Sequence, residues 1–479
     1  MKHLIVVTIF LISLPLMTLA QSSLPSAEKM QLEKAALEKI VRSGGISMQD
    51  LGIVVMKEGA IVYENQSQQK FIPASLSKIL TAIAALKTFS PEQRNITELR
   101  TTASVKDGVL DGALYIKGYG DPSFISEQMW VLVNNLTRSR ITKIKGPIYV
   151  DSTVFDDKFF DGSRQSLRVD RAYDSPVSGL SFNWNTVNVY VRSSEKVGQP
   201  LKVIIDPENE YFTLVNKTTT VSGSKPAAII VDKQEGKDGE KIIVSGSMGI
   251  NQNEAVKFAS VTHPDLWVGK NLLQFLKQRG ITVEDSKISS QKTPGSSTLL
   301  AEAKGWTFFE VIDGMMKFSN NFLAEMLTKN IAASKGKQGS IEKGVELIKE
   351  VLETNYDLKK SRYDFFSPSG FSNKNKITPE DLGTLMFKAH KDFSISSYFL
   401  SSMAAPQSEG TLSKRMGSLK EPKLVRAKTG LLSGVTGLAG YAANSKGEVF
   451  TFVFVYNGNG KEVQARDLFD KIAVNITGL

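Results

Sequence analysis

The run FIPASLSKILTAIAAL, residues 71–86, constrains this chain more than any other stretch. Leu76, Ile79, Leu80, Ile83 and Leu86 recur at helical spacing, so the segment is expected to be a helix buried in a core. A serine stands at its mouth with a lysine one turn behind it. Ser75 and Lys78 are three apart and point from the same helix face. A lysine held against an apolar stripe is partly desolvated, which lowers its pKa and makes a neutral amine available as a base. A hydroxyl beside such an amine is one way to build a serine nucleophile without histidine. The competing reading is a serine capping a helix start and a lysine reaching out to solvent.

Ser-x-x-Lys alone does not decide between these readings, because it occurs eight times, starting at Ser26, Ser67, Ser75, Ser193, Ser222, Ser289, Ser334 and Ser340. Most copies sit in polar, turn-like surroundings such as SGSKP and SKGKQGS, and only the Ser75 copy opens a long apolar helix.

The rest of the composition narrows the chemistry. A chain of 479 residues, 41% hydrophobic and 23% charged, is globular in composition and long enough for two or three domains. Its start, MKHLIVVTIFLISLPLMTLAQ, has a basic residue, an apolar run and small residues ending at Ala20. Residues 1–20 therefore read as a secretory signal peptide, and the mature protein is expected to be secreted, in the periplasm. A membrane anchor fits less well, because the run is short and holds Pro15. With no cysteine, disulfides, thiolate metal sites and a cysteine nucleophile are excluded. Beyond the leader only His263 and His390 remain, 390 − 263 = 127 residues apart and without metal-ligand spacing. A hydrolase built on this chain would take its base from Lys, Glu or Asp, and no metal or cofactor is expected. The formal charge of +10 suits an anionic partner such as a cell wall or membrane surface. Its basic residues are scattered among acids, so no nucleic-acid partner is expected.

Along the chain, residues 28–42 read as an amphipathic helix and LGIVVMKEGAIVYEN as a hairpin turning at Lys57–Gly59. From about residue 89 short β-like runs appear, and residues 188–253 read as a small β-module of their own. Polar KTPGSST, residues 292–298, looks like a boundary. Helices such as WTFFEVIDGMMKFSNNFLAEMLTKNIAAS follow, then a hairpin turning at Ser445–Gly447 and a last helix, VQARDLFDKIAVNI.

Two more motifs give the Ser75 copy its context. FSNNF holds Ser319-Asn320-Asn321, an Asn pair inside an apolar helical region, which breaks local propensity as functional sites do. VRAKTGLLSG holds Lys428-Thr429-Gly430, the one Lys-Thr-Gly in the chain, and its glycine would let a substrate backbone approach closely. Ser-x-x-Lys, Ser-x-Asn and Lys-Thr-Gly in that order resemble the active-site signature of penicillin-binding proteins and serine β-lactamases. The separations, 319 − 75 = 244 and 428 − 321 = 107, resemble those of class C low-molecular-mass penicillin-binding proteins, the DacB type. YIKGYGDPS (115–123), DSPVSGLSFNWNTVNV (174–189), SPSGFSNKNKITP (367–379) and SEGTLSKRM (408–416) look like that family's segments too.

The resemblance implies an α+β fold, with a penicillin-binding-protein/serine β-lactamase-like domain of antiparallel sheet flanked by helices and two nested, β-rich insertions. The peptidase domain would comprise residues 21–88 and 297–479, the second domain 89–187 and 254–296, and the third 188–253. It implies a secreted D-Ala-D-Ala carboxypeptidase or DD-endopeptidase, with peptidoglycan stem peptides as substrate and β-lactam antibiotics as covalent inhibitors. Ser75 would be the acylated nucleophile and Lys78 its proton acceptor. Ser319 would relay a proton to the leaving group, Asn321 would hold the substrate amide, and Lys428 would supply positive charge. Thr429, Gly430 and Leu431 would line the substrate, with the backbone N–H groups of Ser75 and Leu431 as oxyanion hole. Asp156 and Asp157 have two open readings, contacts to a substrate amino group or solvated surface carboxylates. Departures are Leu431 where many relatives carry a hydroxyl, and Ser367 and Asn373 where a family DGSGLSR segment has Asp and Arg. Lys374 has two readings as well, a stand-in for that Arg or a solvated loop lysine. Two alternatives remain, a β-lactamase or esterase on the same fold and a non-catalytic peptidoglycan-binding protein.

Overall fold

The structure, a computed structural model, describes residues 27–164, 175–236 and 238–479. The expected signal peptide, residues 1–20, and Asp174 lie outside the described residues. A five-stranded antiparallel sheet unites the two chain ends. Strands β1 (Leu51–Lys57) and β2 (Ala60–Asn65) come from the start, and β3 (Val425–Leu432), β4 (Val435–Ala443) and β5 (Val449–Asn457) from the end. Their order is β3-β4-β5-β1-β2, which leaves β3 on an edge. The first hairpin turns at Glu58 and Gly59, both left-handed, as a tight turn between twisted strands requires.

Antiparallel strands with one solvated face alternate apolar and polar residues, but β1, β4 and β5 are buried almost throughout. The cause is that helices cover both faces. On one face α1 (Ala27–Ser43) and the C-terminal helix (Glu462–Ile476) bring Leu37, Val41, Leu468, Phe469 and Ile472 onto Ile53, Val55, Phe452 and Phe454. Against the other face stand α2 (Lys78–Thr88), α3 (Phe308–Phe318), α4 (Asn321–Ala333) and the helices Ile341–Tyr356 and Pro379–Lys391.

A second body of structure lies between α2 and α3 in sequence. Its mixed five-stranded sheet runs Ile288–Ser290, Ile148–Asp151, Leu114–Gly118, Arg94–Thr101, Thr298–Thr307. The strand Thr298–Thr307 pairs antiparallel with Arg94–Thr101, so the chain leaves this body at Thr307, where α3 begins. The polar stretch 292–298 precedes that strand and does not mark the exit; sheet pairing overrides the local loop signal. The small β-module has strands from Thr186 to Ser260. One apolar cluster joins it to the second body through Trp267, whose ring meets those of Phe182, Tyr211 and Phe212 at 6.0, 5.4 and 5.7 Å.

Candidate active site

The turn at Ser75 is held by small residues on the sheet edge. A Cβ at Gly430 would stand 2.7 Å from the Pro73 carbonyl oxygen, and one at Gly437 2.9 Å from Leu76 Cδ1. These glycines let the turn press onto β3 and β4, so Gly430 is required by the protein's own packing, whatever approaches from outside. Ala74, buried and left-handed at φ 49°, starts one turn of 3-10 helix, Ala74–Ser77, which leads into α2 at Lys78. Side chains three apart eclipse in a 3-10 turn, and Lys78 Nζ lies 3.1 Å from Ser75 Oγ.

Lys78 is wholly buried and does not reach solvent. Its Nζ also donates to Asn321 Oδ1 at 2.7 Å and to the Ser369 carbonyl at 2.5 Å. A neutral amine has two N–H groups and one lone pair. In its neutral form the amine would turn two N–H groups to these acceptors and its lone pair to the Ser75 hydroxyl.

Ser319 and Asn321 sit at a junction of two helices, which corrects the expectation of an Asn pair inside one. Ser319 ends α3 in a left-handed conformation, φ 58°, and Asn320 caps α4 by accepting from Leu323 N at 3.2 Å. Both Asn residues follow helix-start propensity. The residue that departs from it is Ser319, a non-glycine residue in the left-handed region.

Lys428 projects from edge strand β3. Its Nζ donates to Ser319 Oγ at 2.8 Å and to the Thr429 carbonyl at 2.8 Å. Burial pushes the Lys428 ammonium well below the ordinary lysine range, and a proton on neighbouring Lys78 lowers it further. Thr429 Oγ1 lies 2.9 Å from Thr411 Oγ1, within the SEGTL segment, and Leu431 stands 70% exposed. Ser75, Lys78 and Asn321 are thus directly linked, as are Ser319, Lys428 and Thr429, and the Ser319–Asn321 junction joins the two sets.

Several residues behind this cluster escaped sequence reasoning. Asn375 Nδ2 donates to Ser77 Oγ at 2.9 Å and to the Ser367 carbonyl at 2.7 Å, while its Oδ1 accepts from the N–H groups of Phe366 and Ser367. Ser367 Oγ donates to buried Asp161 at 2.7 Å, which sets a carboxylate against this loop. Asn373 and Lys374 are exposed. On α4, Asn321, Glu325 and Lys329 form a buried polar stripe at four-residue spacing, a signal visible in NFLAEMLTK. Burial pushes the Glu325 carboxyl up, opposed by Arg164, which grips it through two hydrogen bonds of 2.9 and 2.7 Å.

Asp156 accepts from Lys329 Nζ at 2.6 Å and neutralises that buried lysine, while Asp157 is exposed. No described contact joins either to Ser75, Lys78 or Lys428. His263 is exposed, and His390 packs on the Tyr441 ring at 5.0 Å.

A sequence profile of the D-Ala-D-Ala carboxypeptidase 3 (S13) family matches residues 33–476. A D-alanyl-D-alanine carboxypeptidase from Actinomadura sp. (strain R39) is 26% identical over 441 residues, covering 89% of this chain and 80% of the relative. The crystal structure of penicillin binding protein 4 (dacB) from Haemophilus influenzae superposes with a TM-score of 0.79 at 20% identity, over 92% of this chain and 99% of that one. A penicillin G-acylated predatory endopeptidase from Bdellovibrio bacteriovorus superposes with a TM-score of 0.52 at 16% identity, over 89% of this chain and 92% of that one. These likenesses show the fold, the expected α+β architecture of penicillin-binding proteins with added β-rich structure.

Proposed function

The chain belongs to the D-Ala-D-Ala carboxypeptidase 3 (S13) family, and from that premise we propose that it is a secreted, periplasmic serine DD-peptidase. It cleaves peptidoglycan stem peptides, their cross-links, or both, through an acyl-enzyme on Ser75. The observation that carries this reading is the buried Lys78 amine, set between Ser75 Oγ, Asn321 Oδ1 and the Ser369 carbonyl. The leader sequence at residues 1–20 supports secretion.

In the proposed reaction Ser75 Oγ attacks the carbonyl carbon of the penultimate D-alanine and gives its proton to Lys78. The substrate oxygen becomes an oxyanion facing the backbone N–H groups of Ser75 and Leu431, donors that contribute about 3–4 kcal/mol each in such sites. The C–N bond then breaks, and Ser319 passes a proton to the departing amine, which belongs to D-alanine or to a cross-linked second stem. Ser319 recovers its proton from Lys78, which is left neutral again, while Lys428, bonded to Ser319, keeps its charge and with Thr429 faces the terminal carboxylate. Asn321 holds the substrate amide. Water then attacks the ester carbonyl and gives a proton to the neutral Lys78, which returns it to Ser75 Oγ as the ester C–O bond breaks. A β-lactam acylates the same serine and leaves slowly. Penicillin G acylation of the Bdellovibrio endopeptidase, on the same fold, supports this step.

The test is digestion of defined muropeptides, one a pentapeptide ending in D-Ala-D-Ala and one a cross-linked dimer. Release of D-alanine or loss of the dimer, absent with Ser75→Ala, is expected; neither product from the folded wild-type chain would overturn the proposal. Leu431, standing where many relatives carry a hydroxyl, favours wall binding without catalysis as the second reading.

A further inference from the structure

Beside Ser319, on the outer side of α3, lies a groove of about 460 Å³ that the acylation chemistry does not use. That volume falls in the roughly 300–1,000 Å³ range of small-ligand sites. Its walls are Trp184, Trp306, Phe309 and Phe318, with the carboxylates Glu310 and Asp313 on the same lining. Phe318, the residue before Ser319, is 62% exposed. Trp184 and Trp306 come from the inserted body and the other four from the peptidase side, so the groove spans their junction.

Three observations mark it as built. Asn183, Trp184 and Asn185 are all left-handed, with φ of 47°, 54° and 52°, a run of non-glycine residues in a sparsely populated region. The turn is braced on both sides: Asn183 Oδ1 accepts from Ser126 N at 2.9 Å, and Asn185 Nδ2 donates to the Pro176 carbonyl at 3.0 Å and Ser181 Oγ at 2.8 Å. The indole N–H of Trp184 is buried with no acceptor among the described residues, although buried indoles normally find one. Glu310 uses Oε2 to cap its own helix through Thr307, and Asp313 uses Oδ1 to hold Lys317.

Charge selects the occupant. No lysine or arginine lines the groove among the described residues, and its carboxylates already have cation partners off the lining, Arg94 at 3.7 Å and Lys317 at 3.0 Å, so the groove offers nothing to the carboxylate-rich stem peptide. A neutral ligand with apolar faces and hydroxyl donors meets the aromatic walls and the carboxylates. We propose that this groove binds an N-acetylated aminosugar of the glycan strand that carries the stem peptide. Sugar faces stack on the aromatic walls and hydroxyls donate to Glu310 and Asp313. The inference rests on the peptidoglycan reading above.

The test uses the full mature chain and a β-1,4-linked N-acetylglucosamine tetramer, titrated by tryptophan fluorescence and saturation-transfer NMR. Saturable binding is expected, weakened roughly tenfold by Phe318→Ala and by the near-isosteric Asp313→Asn, the size of losing one good anchor. Melting curves of each variant report its fold. In turnover, the preference for a glycan-linked over a free stem peptide is expected to shrink in the same variants. No binding to the wild type, equal binding by the folded variants, or displacement of the sugar by free stem peptide would overturn the proposal. Sugar binding needs no reaction at Ser75. An inactive Ser75 with intact sugar binding would therefore count against the proposed peptidase alone, and acylation without sugar binding would count against the groove alone.

Discussion

Two buried lysines lie close together in this site, and their surroundings assign them different work. Lys78 faces a hydroxyl and two fixed acceptors. Replacing it with methionine, which keeps length and loses the amine, is expected to slow Ser75 acylation by about 10²–10⁴-fold, the usual contribution of a positioned base. Stopped-flow acylation with a chromogenic β-lactam measures this. Lys428 is pushed well below the ordinary lysine range, first by burial and further whenever Lys78 carries a proton. As pH rises through that lowered pKa, Lys428 loses its proton and the site its positive charge. KM for a peptide ending in a free carboxylate is therefore expected to rise at a pH below the unperturbed lysine value of about 10.4. A pH profile of KM flat up to that value would contradict the role given to Lys428. Ser75 and Lys78 were legible because their pairing is local, set by three residues of spacing. Ser369, Asn375 and Asp161 were not, because their bonds close loops of 291, 298 and 206 residues.

At the scale of elements, the site depends on how closely the Ser75 turn sits on the sheet edge. Gly430→Ala would place a methyl 2.7 Å from the Pro73 carbonyl, so strand or turn must shift. Overpacking of this kind costs about 1–3 kcal/mol. The variant is expected to melt several degrees lower, by the roughly 1–4 °C per kcal/mol of a large domain, and to acylate more slowly. An unchanged melting curve and rate would show that the turn is not seated as described. The helices and hairpins flanking this contact were readable from periodicity, because both ends of each element carry local signals. Continuous burial in VFTFVFVYN is explained only by α1 and the C-terminal helix covering the second face. The junction at Ser319 read as one helix because α3 and α4 are both apolar and only two residues separate them.

For the molecule as a whole, the leader contributes only Lys2 to the formal charge, so the mature chain would carry 58 − 49 = +9. A basic surface facing an anionic wall is drawn to it over about a Debye length, roughly 10 Å at 0.1 M salt and 3 Å at 1 M. Cosedimentation with purified sacculi is expected to fall steeply as salt rises from about 0.05 to 0.5 M. Salt-independent sedimentation would assign retention to the aromatic groove or the catalytic cleft instead. The central claim is the acyl-enzyme on Ser75, and intact-protein and peptide mass spectrometry after brief exposure to a penicillin tests it most directly. The account predicts a covalent adduct on the peptide holding Ser75, absent in Ser75→Ala. A folded wild-type chain that carries no adduct and leaves the drug untouched in the same tube would contradict it.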